Sequence, residues 1–149
     1  MQSVTDIVHN QILITSLVAC FLAQGIKGLV GVIQHGKLDI RLILGSGGMP
    51  SSHSALVTAL AAGVGQTVGW DGVEFAVAAV FAVIVMYDAT GVRQAAGKQA
   101  KILNQMVEEL FQEDHQISQE KLKELLGHTP VQVFAGCALG LAVSWLAIG

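Results

Sequence analysis

The sequence predicts an all-α protein: an integral membrane bundle of about four transmembrane helices with an amphipathic cytoplasmic helical insert. Three observations predict it. Hydrophobic residues make up 52% of the 149 and charged residues only 13%, where soluble domains carry about 25% charged. The apolar residues gather into four runs, with one polar stretch between the third and the fourth. All eight Lys and Arg residues fall near two of the three connections. Length argues for one domain over 1–149, with the polar insert at about 93–128.

The first run, Ile12 to Ile33, is broken only by Gln24 and Lys27. The second is roughly Ala55 to Trp70, the third Val73 to Tyr87, the fourth Val131 to Ile148. A crossing needs about 20 apolar residues, within a range of about 17 to 25. The outer two runs meet that length, and the middle two need flanking residues. Only Gly69-Trp70-Asp71-Gly72 joins the second run to the third, which makes them antiparallel neighbours. Glycines at 65 and 69, and at 136 and 140, have the spacing that lets helix backbones approach closely. In the insert, Ile102, Leu103, Met106, Val107, Leu110 and Phe111 recur at helical spacing, which places one apolar face against the membrane surface or the bundle end. Ser118 caps a second short helix holding Leu122, Leu125 and Leu126, and Gly127 stops it.

Charge sets the expected topology. Lys27, Lys37, Arg41, Arg93, Lys98, Lys101, Lys121 and Lys123 cluster at the first-to-second and third-to-fourth connections. The positive-inside rule makes that side cytoplasmic and puts both chain ends outside. A net charge of −3, with no basic stripe interleaved by aromatics, excludes a nucleic-acid partner. Cys20 and Cys137 sit in apolar runs without metal-like spacing and read as packing residues. The first eleven residues hold Asp6 but no Lys or Arg, which argues against a signal peptide. His9, His35 and His115 read as ordinary surface or interface residues.

Polar chemistry gathers on the cytoplasmic side. In Gly47-Gly48-Met49-Pro50-Ser51-Ser52-His53, Pro50 suits a first helical turn, Ser51 or Ser52 a cap, and His53 falls in that turn. Gly127-His128-Thr129-Pro130 opens the fourth span in the same way. Two helix N-termini, each with a histidine, therefore face one side, where free N–H groups and the helix dipole favour anions. Asp88 ends the third span against its dipole, so it pairs with Arg93 or orients a histidine. Lys27, some turns up the first span, faces the bundle interior or reaches for the interface. A phosphate ester or diphosphate suits this cluster: amides and cations hold its oxygens, one imidazole attacks, and another protonates the leaving oxygen.

The stretches GGMPSSHSALVTAL, YDATGVRQAAGKQAKILN and LKELLGHTPVQVFAG resemble the divergent branch of the type 2 phosphatidic acid phosphatases. That branch is related to acid phosphatases and vanadium haloperoxidases, whose motifs run K-x6-R-P, P-S-G-H and S-R-x5-H-x3-D. Pro50-Ser51-Ser52-His53 matches the second motif with Ser52 in the glycine position, and His128 begins the third. The chain departs from the pattern at Gln132, where the family has its aspartate, and at Leu122, where it has an arginine. Neither Lys27 nor Lys37 is followed by Arg-Pro.

The resemblance implies a membrane phosphatase acting on a lipid phosphate or diphosphate. His128 is then the nucleophile, His53 the general acid, and Asp88 the group that orients a ring. Lys27, Arg93, Gly48, Ser51 and Ser52 cradle the phosphate. No metal or other cofactor is called for. The expected partners are membrane lipid and a phosphate-bearing lipid substrate, with self-association as a further expectation because four short helices bury little surface. Two rival readings use the same features: a non-catalytic membrane protein that binds anionic headgroups or a protein partner, and a small-solute transporter.

Overall fold

A computed structural model describes residues 4–36, 48–110, 122 and 126–149. Lys37, Arg41, Gly47, Phe111, His115, Lys121 and Lys123 lie outside the described residues, as do Ser118 and Leu125 of the expected short helix. A 3-10 segment, Val4–His9, leads into five helices: α1 (Gln11–His35), α2 (Ser52–Val68), α3 (Val73–Thr90), α4 (Val92–Leu110) and α5 (Pro130–Ala147). The fold is a helical membrane bundle. Three stretches are long and apolar enough to cross a bilayer: Gln11–Ile33, one within Val73–Glu108, and Pro130–Ala147.

The second apolar run behaves differently from the other three. It forms α2, 17 residues long, the shortest of the five and the axis on which α1, α3 and α5 pack. Nine of its residues are buried, against three in α3.

Side chains are sorted by size in the opposite sense to a soluble core. Between α1, α2 and α5 lie Ala19, Ala23, Ala55 and Ala59, flanked by Leu139 and Val143. The α2–α3 contact is Val57, Ala61, Ala78 and Ala82. The bulkiest fully buried side chains are the serines at 16, 51, 54 and 144. Phe134 is 72% exposed and Leu146 is 89% exposed. Lipid tails solvate large apolar groups as well as a protein core does, so burying them gains nothing and small residues that admit close backbones occupy the inside.

Gly136 and Gly140 show this directly. A methyl at Gly136 would overlap the Ser51 carbonyl oxygen and lie 2.9 Å from Ser54 Cβ; one at Gly140 would overlap the Ala55 oxygen. The same register shows that α5 runs parallel to α2. The glycine pair at 65 and 69 does not serve a helix crossing. The space beside Gly65 is filled by the Trp70 ring, which meets Phe75 edge-on at 5.1 Å and closes the α2–α3 hairpin. The Cys137 Sγ lies 3.0 Å from Met86 Sδ across the bundle, and both cysteines are only partly buried.

This topology collects the C-terminus of α1, the N-termini of α2 and α5, and the α3–α4 junction at one end. At the other end, Gln11 Nε2 donates to the Ala147 carbonyl at 2.9 Å and Ser144 Oγ to Gln66 Oε1 at 3.0 Å. Exposed Trp70 and Trp145 ring that end and exposed Tyr87 marks the first one, as aromatic anchors do at the two bilayer interfaces.

Candidate functional site

Ser51 is the cap of α2. Its hydroxyl accepts from Ser54 N at 3.3 Å and from Ser54 Oγ at 2.9 Å. Its own amide donates to the Gln132 carbonyl at 3.0 Å. The hydroxyl of this buried serine is thus used inside α2 and its amide ties α2 to α5, and Pro50 lies just outside the helix rather than in its first turn. The next two amides, of Ser52 and His53, meet no acceptor among the described residues. Unpaired first-turn N–H groups at the positive end of a dipole are an anion cradle.

The start of α5 lacks that property. Thr129 caps it, with Oγ1 accepting from Gln132 N at 3.4 Å while Gln132 Oε1 accepts from Thr129 N at 3.1 Å. This reciprocal capping box, together with the missing N–H of Pro130, uses up most of the orphan donors. The two N-termini are thus unequal: α2 offers donors, and α5 supplies a fixed histidine.

That histidine is His128, only 3% exposed. Its amide donates to the Ala89 carbonyl at 2.9 Å, on the last turn of α3 before Gly91 breaks the helix. Gly127 packs so tightly there that a methyl would lie 2.6 Å from Gln94 N. The ring places Nδ1 3.2 Å from Gln132 Oε1. Because Oε1 already accepts the Thr129 amide, the Gln132 side chain presents oxygen, not nitrogen, to the ring. Nδ1 must then carry the proton, and Nε2 keeps its lone pair. Burial holds the His128 pKa below the ordinary histidine value, and the charges of Lys27, His53 and Arg93 add to that, against an upward pull from the Gln132 hydrogen bond. The ring is neutral at neutral pH.

The cations surround the α2 terminus. Lys27 is 5% exposed, and its stem crosses Gly48, where a methyl would lie 2.9 Å from Cδ. Gly48 has φ of 92°, a conformation that costs an L-residue roughly 1–2 kcal/mol, so both backbone and space call for glycine. Arg93 Nε bonds Asp88 Oδ2 at 2.6 Å. This settles one alternative: Asp88 holds Arg93, while the partner of the His128 ring is Gln132. Burial, and then the charges of Arg93 and Lys27, hold the His53 pKa below the ordinary histidine value, against an upward pull from Asp88. Lys27, His53, Arg93 and His128 therefore share one electrostatic neighbourhood. Ser52 is buried beside them.

Gln132 is the residue whose role the sequence concealed. Its position four past His128 marks it as a lost aspartate, yet Thr-x-x-Gln is also a capping-box signature. Among the described residues, no group of three or more His, Cys, Asp or Glu side chains is placed to hold a metal ion.

Comparison with known proteins agrees with this picture. The Divergent PAP2 family model matches residues 8–143, a span that takes in every residue of the site. The chain is 44% identical to the uncharacterized membrane protein YuiD of Bacillus subtilis (strain 168) over 149 residues, covering 93% of this chain and 94% of that one. No solved structure matches. With three stretches suited to crossing a bilayer and a family match over nearly its whole length, the chain is an integral membrane protein of the divergent PAP2 family.

Proposed function

We propose that the chain, acting as one domain over 1–149, is a phosphohydrolase for a lipid phosphate or diphosphate, working at headgroup depth through a phosphohistidine. The observation that carries this reading is the pairing of two amides, at Ser52 and His53, that meet no acceptor among the described residues with a neutral His128 whose Nε2 meets no donor among them. The amides, Lys27 and Arg93 take the phosphoryl oxygens, and Asp88 fixes the guanidinium through its Nε. Nε2 of His128 bonds to phosphorus as the P–O bond to the lipid oxygen breaks, and His53, which the negative charge of the bound phosphoryl group holds protonated against the pull of burial, gives that oxygen its proton. Water then attacks phosphorus, His53 takes a proton from it, the P–N bond breaks, and inorganic phosphate leaves.

The phosphorylated ring is cationic, and Gln132 stabilises it with a dipole rather than a charge. Turnover is accordingly slow compared with a site holding an aspartate there. Exposed apolar residues at this end, among them Leu29, Met49 and Phe134, give the acyl or prenyl chains a lipid-facing wall. The clustering of Lys and Arg along the sequence supports a site on the cytoplasmic face.

The test is phosphate release by the purified protein from phosphatidate, phosphatidylglycerophosphate and a polyprenyl diphosphate. His53→Ala and His128→Ala should each abolish it while circular dichroism and monodispersity stay unchanged. Activity that survives both substitutions ends this mechanism. The neutral Gln132 favours a second reading, a pocket that binds phosphate headgroups without turnover. Under it, the wild-type protein binds phosphatidate vesicles and releases no phosphate.

A further inference from the structure

We infer that α4 lies in the headgroup layer of the bilayer, on the side of the candidate site, with one face in lipid and the other in water. The inference rests on how α4 sorts its side chains. Its inward positions are the small Gly97 and Ala100, together with Asn104. Asn104 grips the Leu122 backbone with two bonds of 3.0 Å, Nδ2 to the carbonyl and Oδ1 from the amide. Its large apolar residues, Val92, Ile102, Leu103, Met106, Val107 and Leu110, are all exposed. At ~3.6 residues per turn these six fall within an arc of about 140°.

A helix of a soluble protein puts its large residues inward. Small inside and large outside is the sorting seen on α1, α3 and α5, where lipid covers the outer face. In α4 it holds on one arc alone. The arc opposite carries Gln94, Lys98, Lys101, Gln105 and Glu108, so this helix has a lipid side and a water side, as interfacial helices do.

The position along the chain supports the same occupant. A single residue, Gly91, separates α4 from the end of the α3 span, close to exposed Tyr87, so α4 begins at the interface. Among the described helices it touches only α3, and none of them covers its apolar arc. Lys98 and Lys101 lie on the water side, within reach of headgroup phosphates. A helix anchored this way would hold Gly91 and Arg93 at headgroup depth, although the proposal does not depend on the protein being an enzyme.

The test is accessibility mapping of the full chain in phosphatidylcholine–phosphatidylglycerol vesicles. Nitroxide labels are placed at Lys101→Cys, Leu103→Cys, Gln105→Cys, Met106→Cys and Leu110→Cys, one at a time, in a Cys20→Ser, Cys137→Ser background. Labels at 103, 106 and 110 should be several-fold more accessible to oxygen, and several-fold less accessible to a nickel chelate, than those at 101 and 105. On the unaltered chain in nanodiscs, a lipid-borne spin label should broaden the amide signals of Leu103 and Met106 more than those of Lys101 and Gln105. Equal nickel accessibility at all five positions overturns the proposal. So does shielding of 103 and 106 from both reagents with dipolar coupling between labels, which would mean that a second copy covers the face. Absence of lipid-borne broadening in the unaltered chain overturns it as well.

Discussion

Gln132→Glu is the most informative single change, because it keeps the side-chain length and the capping box and adds one negative charge beside His128. The acceptor oxygen now stands 3.2 Å from Nδ1, and glutamate accepts the Thr129 amide as glutamine does. A carboxylate about 4 Å from an imidazolium charge is worth ~4 kcal/mol at the effective dielectric of a protein site. At about 1.36 kcal/mol per pKa unit, that is a gross shift of ~3 units. Desolvating the new carboxylate offsets part of it, and opposite charges at such distances move pKa values by ~1–3 units. The His128 ring should therefore rise by ~1–3 units from its depressed value. The assay is a histidine-selective nitrogen-15 titration in micelles, with His128→Gln to assign the signal and Gln132→Leu to remove the interaction. The unaltered protein should show a protonated Nδ1 and a bare Nε2 at pH 7, the signature of a neutral ring. An unmoved or lowered pKa in Gln132→Glu, or a proton on Nε2 in the unaltered protein, would refute the assignment of the ring's partner.

The same change reverses a pH slope once it carries the folded pKa of His128 above the unfolded one. In the unaltered chain the folded His128 pKa lies below the unfolded value of ~6.5, so the unfolded state binds more protons in between, and stability falls as pH drops through that window. With the folded pKa raised, the contribution is fully present below ~6.5 and is lost as pH rises through the new value. Thermal midpoints across pH 4 to 8 read the difference as opposite trends. Gly136→Val should cost more than the ~1–3 kcal/mol of ordinary overpacking, since the obstacle is the Ser51 backbone; a denaturation curve that barely moves would contradict the α2–α5 contact. Ser51→Ala should cost about 1 kcal/mol as a lost cap, more if Ser54 Oγ stays buried without its partner, and calorimetry checks it. Arg93→Gln removes a half-exposed pair worth ~0–1 kcal/mol, so the midpoint should hold while phosphate-headgroup binding falls; an equal loss of both would make Arg93 structural.

Much of the fold was legible along the chain. The apolar runs became α1, α2, α3 and α5, and the periodic residues from Ile102 to Leu110 fall in α4, because run length and periodicity are properties of contiguous residues. The spacing of Gly136 and Gly140 foretold a close crossing. Identical spacing at 65 and 69 did not, because Trp70 folds back on Gly65, and a ring closing its own hairpin leaves no mark in a spacing rule. His53 and His128 were placed at helix starts by their Ser, Thr and Pro neighbours. Their unequal surroundings were hidden, since a cap is local but the spare amides at Ser52 and His53 depend on what α5 brings beside them.

By itself, then, the sequence determined that this chain folds as membrane helices, which stretches form them, and which end gathers the titratable groups. Hydrophobic length, capping residues and charge placement are written in neighbouring positions. Only the tertiary structure decided that Gln132 faces the His128 ring, that Asp88 is held by Arg93, and that Lys27 lies across Gly48. Those choices follow from how each helix is rotated and how far it slides against the next, and packing of small residues such as Ala55, Gly136 and Gly140 sets both.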